Sequence, residues 1–112
     1  IAVPIILNSR EELLLIIQIL DTHGYVHYRL KNFQIAHGSL TAAIDLATGI
    51  VRELERHENA PGKDRLEYLR STLAIMHYHR AVVYESLGHI DFQQRDLEMV
   101  RHYGAEPNPT LF

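Results

Sequence analysis

Apolar side chains recur at three- and four-residue steps along most of this 112-residue chain. No stretch alternates with a period of two, so the pattern predicts helices and no sheet. Ser9-Arg10-Glu11-Glu12 places a hydroxyl acceptor at a helix start and a carboxylate three residues on, the pattern of a capping box. The helix that follows runs to about Leu30, with Leu13, Ile16, Leu20, Gly24 and His27 along one face. Asn32 is a natural next cap. The second helix carries Phe33, Ala36, Leu40, Ala43, Ala47, Ile50 and Leu54 on a single stripe.

Pro61-Gly62, inside the segment 57–63, marks the clearest break. Asp64-Arg65-Leu66-Glu67 then opens a third helix whose stripe is Leu66, Leu69, Leu73, Met76, Arg80, Tyr84 and Leu87. Gly88 is placed to end it in a left-handed conformation. Asp91-Phe92-Gln93-Gln94 opens a shorter fourth helix that buries Leu97, Val100 and Tyr103 and stops at Gly104. The tail with Pro107 and Pro109 is expected to be extended. Short connections between helices one and two, and between three and four, make each pair antiparallel. The expectation is one all-α domain over residues 1–112, built as two antiparallel helical hairpins from four helices.

The two hairpins match weakly at an offset of 57 residues. Gly24-x-x-His27-x-x-Leu30 lies over Ala81-x-x-Tyr84-x-x-Leu87, and each is followed by a short turn and a second helix. Small residues at Gly24 and Ala81, and at Ala36 and Ala43, allow close approach of a facing helix. On these residues the chain resembles the tetratricopeptide repeat family, and Tyr84-Glu85-Ser86-Leu87-Gly88 carries the likeness best. Pro107-Asn108-Pro109 stands where that family often closes a repeat. The resemblance covers roughly residues 17–109, with repeat one at about 9–58 and repeat two at about 64–109. His27 departs from the family's usual aromatic, Gln93 from its alanine, and the offset of 57 from its usual period of 34. Longer helices two and three account for that offset.

The resemblance implies an alpha–alpha superhelix that scaffolds protein–protein interaction, with helices one and three lining a concave groove. Its groove positions fall on Asp21, Tyr25, Tyr28 and Arg29 in the first repeat and on Tyr78, Val82, Glu85 and Ser86 in the second. Tyrosine brings a large amphipathic contact area at low entropic cost, which suits capture of a partner peptide or helix. The lysine and asparagine clamp that some members use on a terminal carboxylate is absent from these positions.

A second surface suggests a different job. Residues 13–20 are apolar nearly all round, although an edge helix should have one wet face. Leu14, Leu15 and Ile19 are the candidates for covering by the 1–7 segment, by a preceding repeat or by a second copy of the chain. Two repeats are few for an array, which gives self-association weight as the alternative function.

Composition narrows the remaining choices. Hydrophobic residues make up 46%, cysteine and tryptophan are absent, and the formal charge is −3 without a run of like sign. That excludes a disordered tail and a disulfide scaffold, and it argues against a nucleic-acid or polybasic membrane surface. Neither apolar run, 1–7 or 13–20, approaches the ~18 residues of a membrane helix. The missing initiator methionine fits a processed or trimmed piece of a longer protein. A soluble, cytoplasmic setting is the expectation.

Eight histidines stand against two lysines, and protonating all eight would move the formal charge from −3 to +5. His23 and His27 share a helical face and have the spacing of a zinc pair, but glycine follows His23 where a metalloprotease needs glutamate. His77 and His79 project about 200° apart. The simpler expectation is that His23, His27 and His77 pack between helices and the others are solvated, with no metal or cofactor. Ser9, Ser39, Ser71 and Ser86 lie in no nucleophile elbow, and the six glycines form no phosphate loop. Glu11/Glu12 and Glu53/Glu55 read as capping or solvated carboxylates. Nothing here assembles an enzyme.

Overall fold

The computed structural model describes residues 10–57 and 63–108. The apolar run 1–7, Ser9, Pro61-Gly62 and Pro109 lie outside the described residues. Four helices make up the fold: α1 (Arg10–Arg29), α2 (Phe33–Arg56), α3 (Lys63–Leu87) and α4 (Ile90–His102). Among the described residues there is no strand.

Both hairpins turn in the same way. Lys31 and Gly88 have φ of 65° and 78°, the left-handed conformation that ends a helix. At the first turn the Lys31 amide donates to Tyr28 and the Asn32 amide to His27, at 2.9 and 2.8 Å. At the second, Gly88 donates to Glu85 and His89 to Tyr84, at 3.0 and 2.9 Å. Each donor–acceptor pair is thus reproduced 57 residues on. The residues that start the next helix, Asn32 and His89, also match in backbone angles, at −90°/70° and −92°/73°. Asn32 makes no side-chain cap bond; its amide side chain lies instead on His27 Nδ1 at 3.1 Å. The fourth helix starts at Ile90 with His89 as its cap, two residues before the expected cap Asp91, because the shared turn sets its beginning.

The helices pack in chain order, α1 on α2, α2 on α3 and α3 on α4, with α1 also touching α3. Helices α1 and α4 do not meet, so the layout is an open ladder, whereas a closed four-helix bundle would bring its first and last helices together. The main core joins Ile17 of α1, Ala43, Ala47, Ile50 and Leu54 of α2, and Leu69, Leu73 and Met76 of α3. A smaller cluster of Ala36, Leu40 and Val83 lies toward the turns. Gly24 makes the α1–α2 approach possible: a Cβ there would meet Leu40 Cγ at 2.6 Å and the Ala36 carbonyl at 3.3 Å. The buried face of α1 centres on Ile17 and Gly24, between the flanking Leu13, Leu14 and Leu20.

Helix α3 has neighbours on both sides, so its interior face is wide. Ala74, His77, His79, Ala81 and Val83 are buried there in addition to the apolar stripe. The expectation that His79 is solvated is therefore wrong: it is 5% exposed, because α1 covers the side of α3 from which it projects. Conversely, His23 is exposed and meets Ser39 Oγ at 2.7 Å. His77, also 5% exposed, is buried on the opposite side of α3, against α4.

Candidate functional site

Two surfaces bring together side chains with recognisable chemistry. The first spans α1 and α3. Asp21 and His79 tie the two helices, with Oδ1 and Nδ1 2.8 Å apart. The Tyr25 ring lies over the His79 ring at 4.7 Å between centroids, and Tyr28 follows at 6.1 Å from Tyr25. Arg29 donates to the Tyr25 hydroxyl at 3.3 Å from one turn away, which raises the guanidinium pKa further. From α3, Tyr78 joins this neighbourhood. Its hydroxyl is pushed above the ordinary tyrosine value by burial first, and then by the proximity of Tyr28, Glu85 and Tyr25. Val82 is half-buried beside it, and Glu85 and Ser86 are exposed.

All eight residues expected in the groove keep surface exposed on α1 and α3, and Tyr25, Tyr28, Tyr78 and Glu85 lie near one another. Asp21 meets His79 through Oδ1 and staples the two helices, while its side chain stays 21% exposed. Glu85 accepts a bond from Gln93 of α4 at 3.0 Å, and the Ser86 hydroxyl bonds back to the Val82 carbonyl at 3.1 Å.

The residues named for self-association divide between two faces. Leu14 turns into the main core. Leu15 and Ile19 are 56% and 57% exposed on the opposite face of α1.

The second surface is a cleft of about 780 Å³ between α2 and α4, with α3 as its floor. Thr48, Val51, Arg52 and Glu55 form one wall at helical spacing, and Met99, His102 and Tyr103 face them. Arg70 crosses the cleft to Glu55 at 2.6 Å. His77 lies beneath, stacked on Tyr103 at 6.0 Å, with Nδ1 2.7 Å from Asp96 Oδ1. Asp96 is also held by Arg80, through Nε to Oδ2 at 2.9 Å and Nη2 to Oδ1 at 2.8 Å. Arg80 extends to Thr41 of α2 at 3.3 Å and lies over the Tyr84 ring at 5.6 Å.

Burial alone would raise the Asp96 pKa. The hydrogen bonds from Arg80 and His77 outweigh it and hold the carboxyl below its usual value. Burial would likewise lower the Arg80 pKa, and the bonds to Asp96 raise it instead. A histidine oriented by a carboxylate is the geometry of an acid–base pair. Here, however, Arg80 occupies both oxygens of that carboxylate, and no serine or cysteine lines the cleft. The arrangement ties α3 to α4.

Asp96 has a detectable sequence signal: Gln93, Asp96, Val100 and Tyr103 share one stripe of α4, so a carboxylate stands where the pattern calls for core. His79 has no such signal, since its burial depends on a helix 58 residues away. Among the described residues no three His, Cys, Asp or Glu side chains converge as metal ligands, and no helix is long and apolar enough to cross a membrane. Comparison of the chain with protein-family models, with curated proteins and with solved structures found no match.

Proposed function

We propose that this chain is a protein–protein interaction module of tetratricopeptide-like design, holding a partner peptide or helix against the α1/α3 face. The observation that carries the reading is the meeting of Tyr25, Tyr28 and Tyr78, from two helices far apart in sequence, beside Arg29 and Glu85. Tyrosines that keep part of their surface in water supply apolar area together with a polar tip, the composition enriched in recognition surfaces. Arg29, with its guanidinium in solvent, suits an acidic group on the partner, and Glu85 suits a basic one. The matching turns at Lys31 and Gly88 support a repeat organisation.

Selection from a displayed peptide library tests the reading. Selected peptides should shift the amide resonances of Tyr25, Tyr28, Tyr78 and Val82. Tyr25→Ala with Tyr78→Ala should weaken their binding at least about tenfold, as removal of two aromatic anchors does. Peptides that bind elsewhere, or that are indifferent to the double substitution, would remove this face as the docking surface.

A further inference from the structure

The face of α1 turned away from α2 and α3 carries, with Leu30 just past its end, an apolar seam that is exposed among the described residues. Leu15, Ile19, Val26 and Leu30 are 56%, 57%, 47% and 62% exposed, and Thr22 lies between them. The spacing 15, 19, 22, 26 alternates steps of four and three, the repeat with which one helix packs along another. Four large apolar side chains in one continuous stripe exceed what scattered surface residues explain.

The charges at the two ends of the seam select its occupant. Glu11 and Glu12 are exposed at the beginning of α1, and Arg29 and Lys31 are exposed at its end. Glu12 makes no hydrogen bond or ion pair among the described residues, while Glu11 has a distant one to Arg65 at 3.6 Å. A parallel copy of α1 would set like charges side by side. An antiparallel copy sets Glu12 of one chain against Arg29 of the other, and the same register brings Leu15 opposite Val26 and Ile19 opposite Thr22. Leu30 then covers the flank of Leu15 one turn along. All of these pairs are symmetric about a single point between Leu20 and Asp21, as a two-fold interface requires.

We infer that α1 is the dimerisation helix of this chain, pairing antiparallel with the α1 of a second copy through Leu15, Ile19, Val26 and Leu30, with Glu12 and Arg29 fixing the register. The seam is short, which places the association in the micromolar range and not tighter. The dimer leaves the Tyr78 side of the α1/α3 face open and shares only Arg29 with the docking surface proposed above.

Sedimentation equilibrium of the 112-residue chain across micromolar to millimolar concentration tests the pairing. The expected result is a monomer–dimer equilibrium. Ile19→Glu with Val26→Glu should abolish it, while circular dichroism reports an unchanged helix content, since both positions are exposed. Glu12→Arg and Arg29→Glu should each weaken the dimer by about tenfold, because each breaks two symmetric contacts, and the two together should restore it. Restoration is the outcome that only an antiparallel self-pair produces. A monomer at every concentration overturns the inference, as does a dimer indifferent to Ile19→Glu or a double exchange that does not restore. If deleting residues 1–7 is needed before dimers form, the chain's own first segment covers the seam and the inference also fails.

Discussion

Arg80 closes both oxygens of Asp96, with Nε on Oδ2 at 2.9 Å and Nη2 on Oδ1 at 2.8 Å. This two-point pairing sits where three helices converge. Asp96 belongs to α4, Arg80 to α3, and the same guanidinium reaches Thr41 on α2. Helices α2 and α4 do not pack on one another, so a long side chain from α3 spans the space that separates them. An apolar residue of similar length could fill that space but could not fix the α4 register through two parallel bonds.

Asp96→Asn preserves the shape and removes the charge, leaving Arg80 partly buried without its counter-ion. The expected loss is about 3 kcal/mol of unfolding free energy, the usual cost of breaking one partner from a buried pair. The pH dependence follows the direction of the shift. The folded Asp96 pKa is depressed, so its contribution is complete above the ordinary aspartate value of ~3.9 and is lost as pH falls through the lower folded value. Urea titrations between about pH 2 and 7 should show that loss in the parent chain and a flatter acid limb in Asp96→Asn.

Gly24 and Gly38 make opposite predictions from the same substitution. Alanine improves helix propensity at both by roughly 1 kcal/mol. At Gly38 nothing lies within 4 Å of the added methyl, so Gly38→Ala should raise stability by close to that amount. At Gly24 the methyl meets fully buried Leu40 at 2.6 Å and a backbone carbonyl at 3.3 Å, neither of which has room to retreat. Overpacking of this kind costs about 1–3 kcal/mol and outweighs the propensity gain. A thermal midpoint that rises for Gly24→Ala would mean that the α1–α2 crossing is looser than the structure has it.

The paired turns predict opposite outcomes for exchanges at equivalent positions. Lys31 holds φ of 65° with a side chain that disfavours it, at a cost of about 1 kcal/mol. Lys31→Gly should recover about that much, and Gly88→Ala should lose a similar amount. Both positions are exposed, so side-chain packing contributes little to either change. Chemical denaturation of the two variants checks the sign of each.

These variants also mark which features could be read along the chain and which could not. Gly24, Gly88 and Gly104 act where their local pattern places them, as a close-approach site and as helix stops, since each depends on neighbours within a few residues or on one facing helix. The stripes of α2 and α3 likewise identify most of the core, from Ala36 and Leu40 to Leu73 and Met76. The tyrosines of α1 and α3 were legible as a group through the 57-residue offset. The commitment of Asp21 to His79 was not, because it depends on where α3 places a ring 58 residues away. Asp96 stands out in its own stripe on α4, but its pairing with His77 and Arg80 was not legible, because it depends on how α3 packs against α4. A single-helix pattern assigns one wet face to α3, whereas neighbours on both sides leave it room to bury two histidines pointing apart.

His37 provides a separate acid response at milder pH. It meets the Tyr84 hydroxyl at 2.9 Å, at the part-buried junction of α2 and α3. Its pKa is lowered by burial first and by the positive charge of Arg80 second; nearby Asp96 raises it and His89 lowers it slightly. The unfolded chain therefore takes up this proton before the folded one does. Stability from this group is complete above the unfolded histidine value of ~6.5 and declines as pH falls toward the lower folded value. His37→Gln retains an amide able to bond Tyr84 but does not titrate. The drop in thermal midpoint between about pH 7.5 and 5 should be smaller in His37→Gln than in the parent chain. An equal drop in both would place the acid sensitivity on the other histidines. The window is distinct from that of Asp96, which acts below about pH 4, so one titration series separates the two groups.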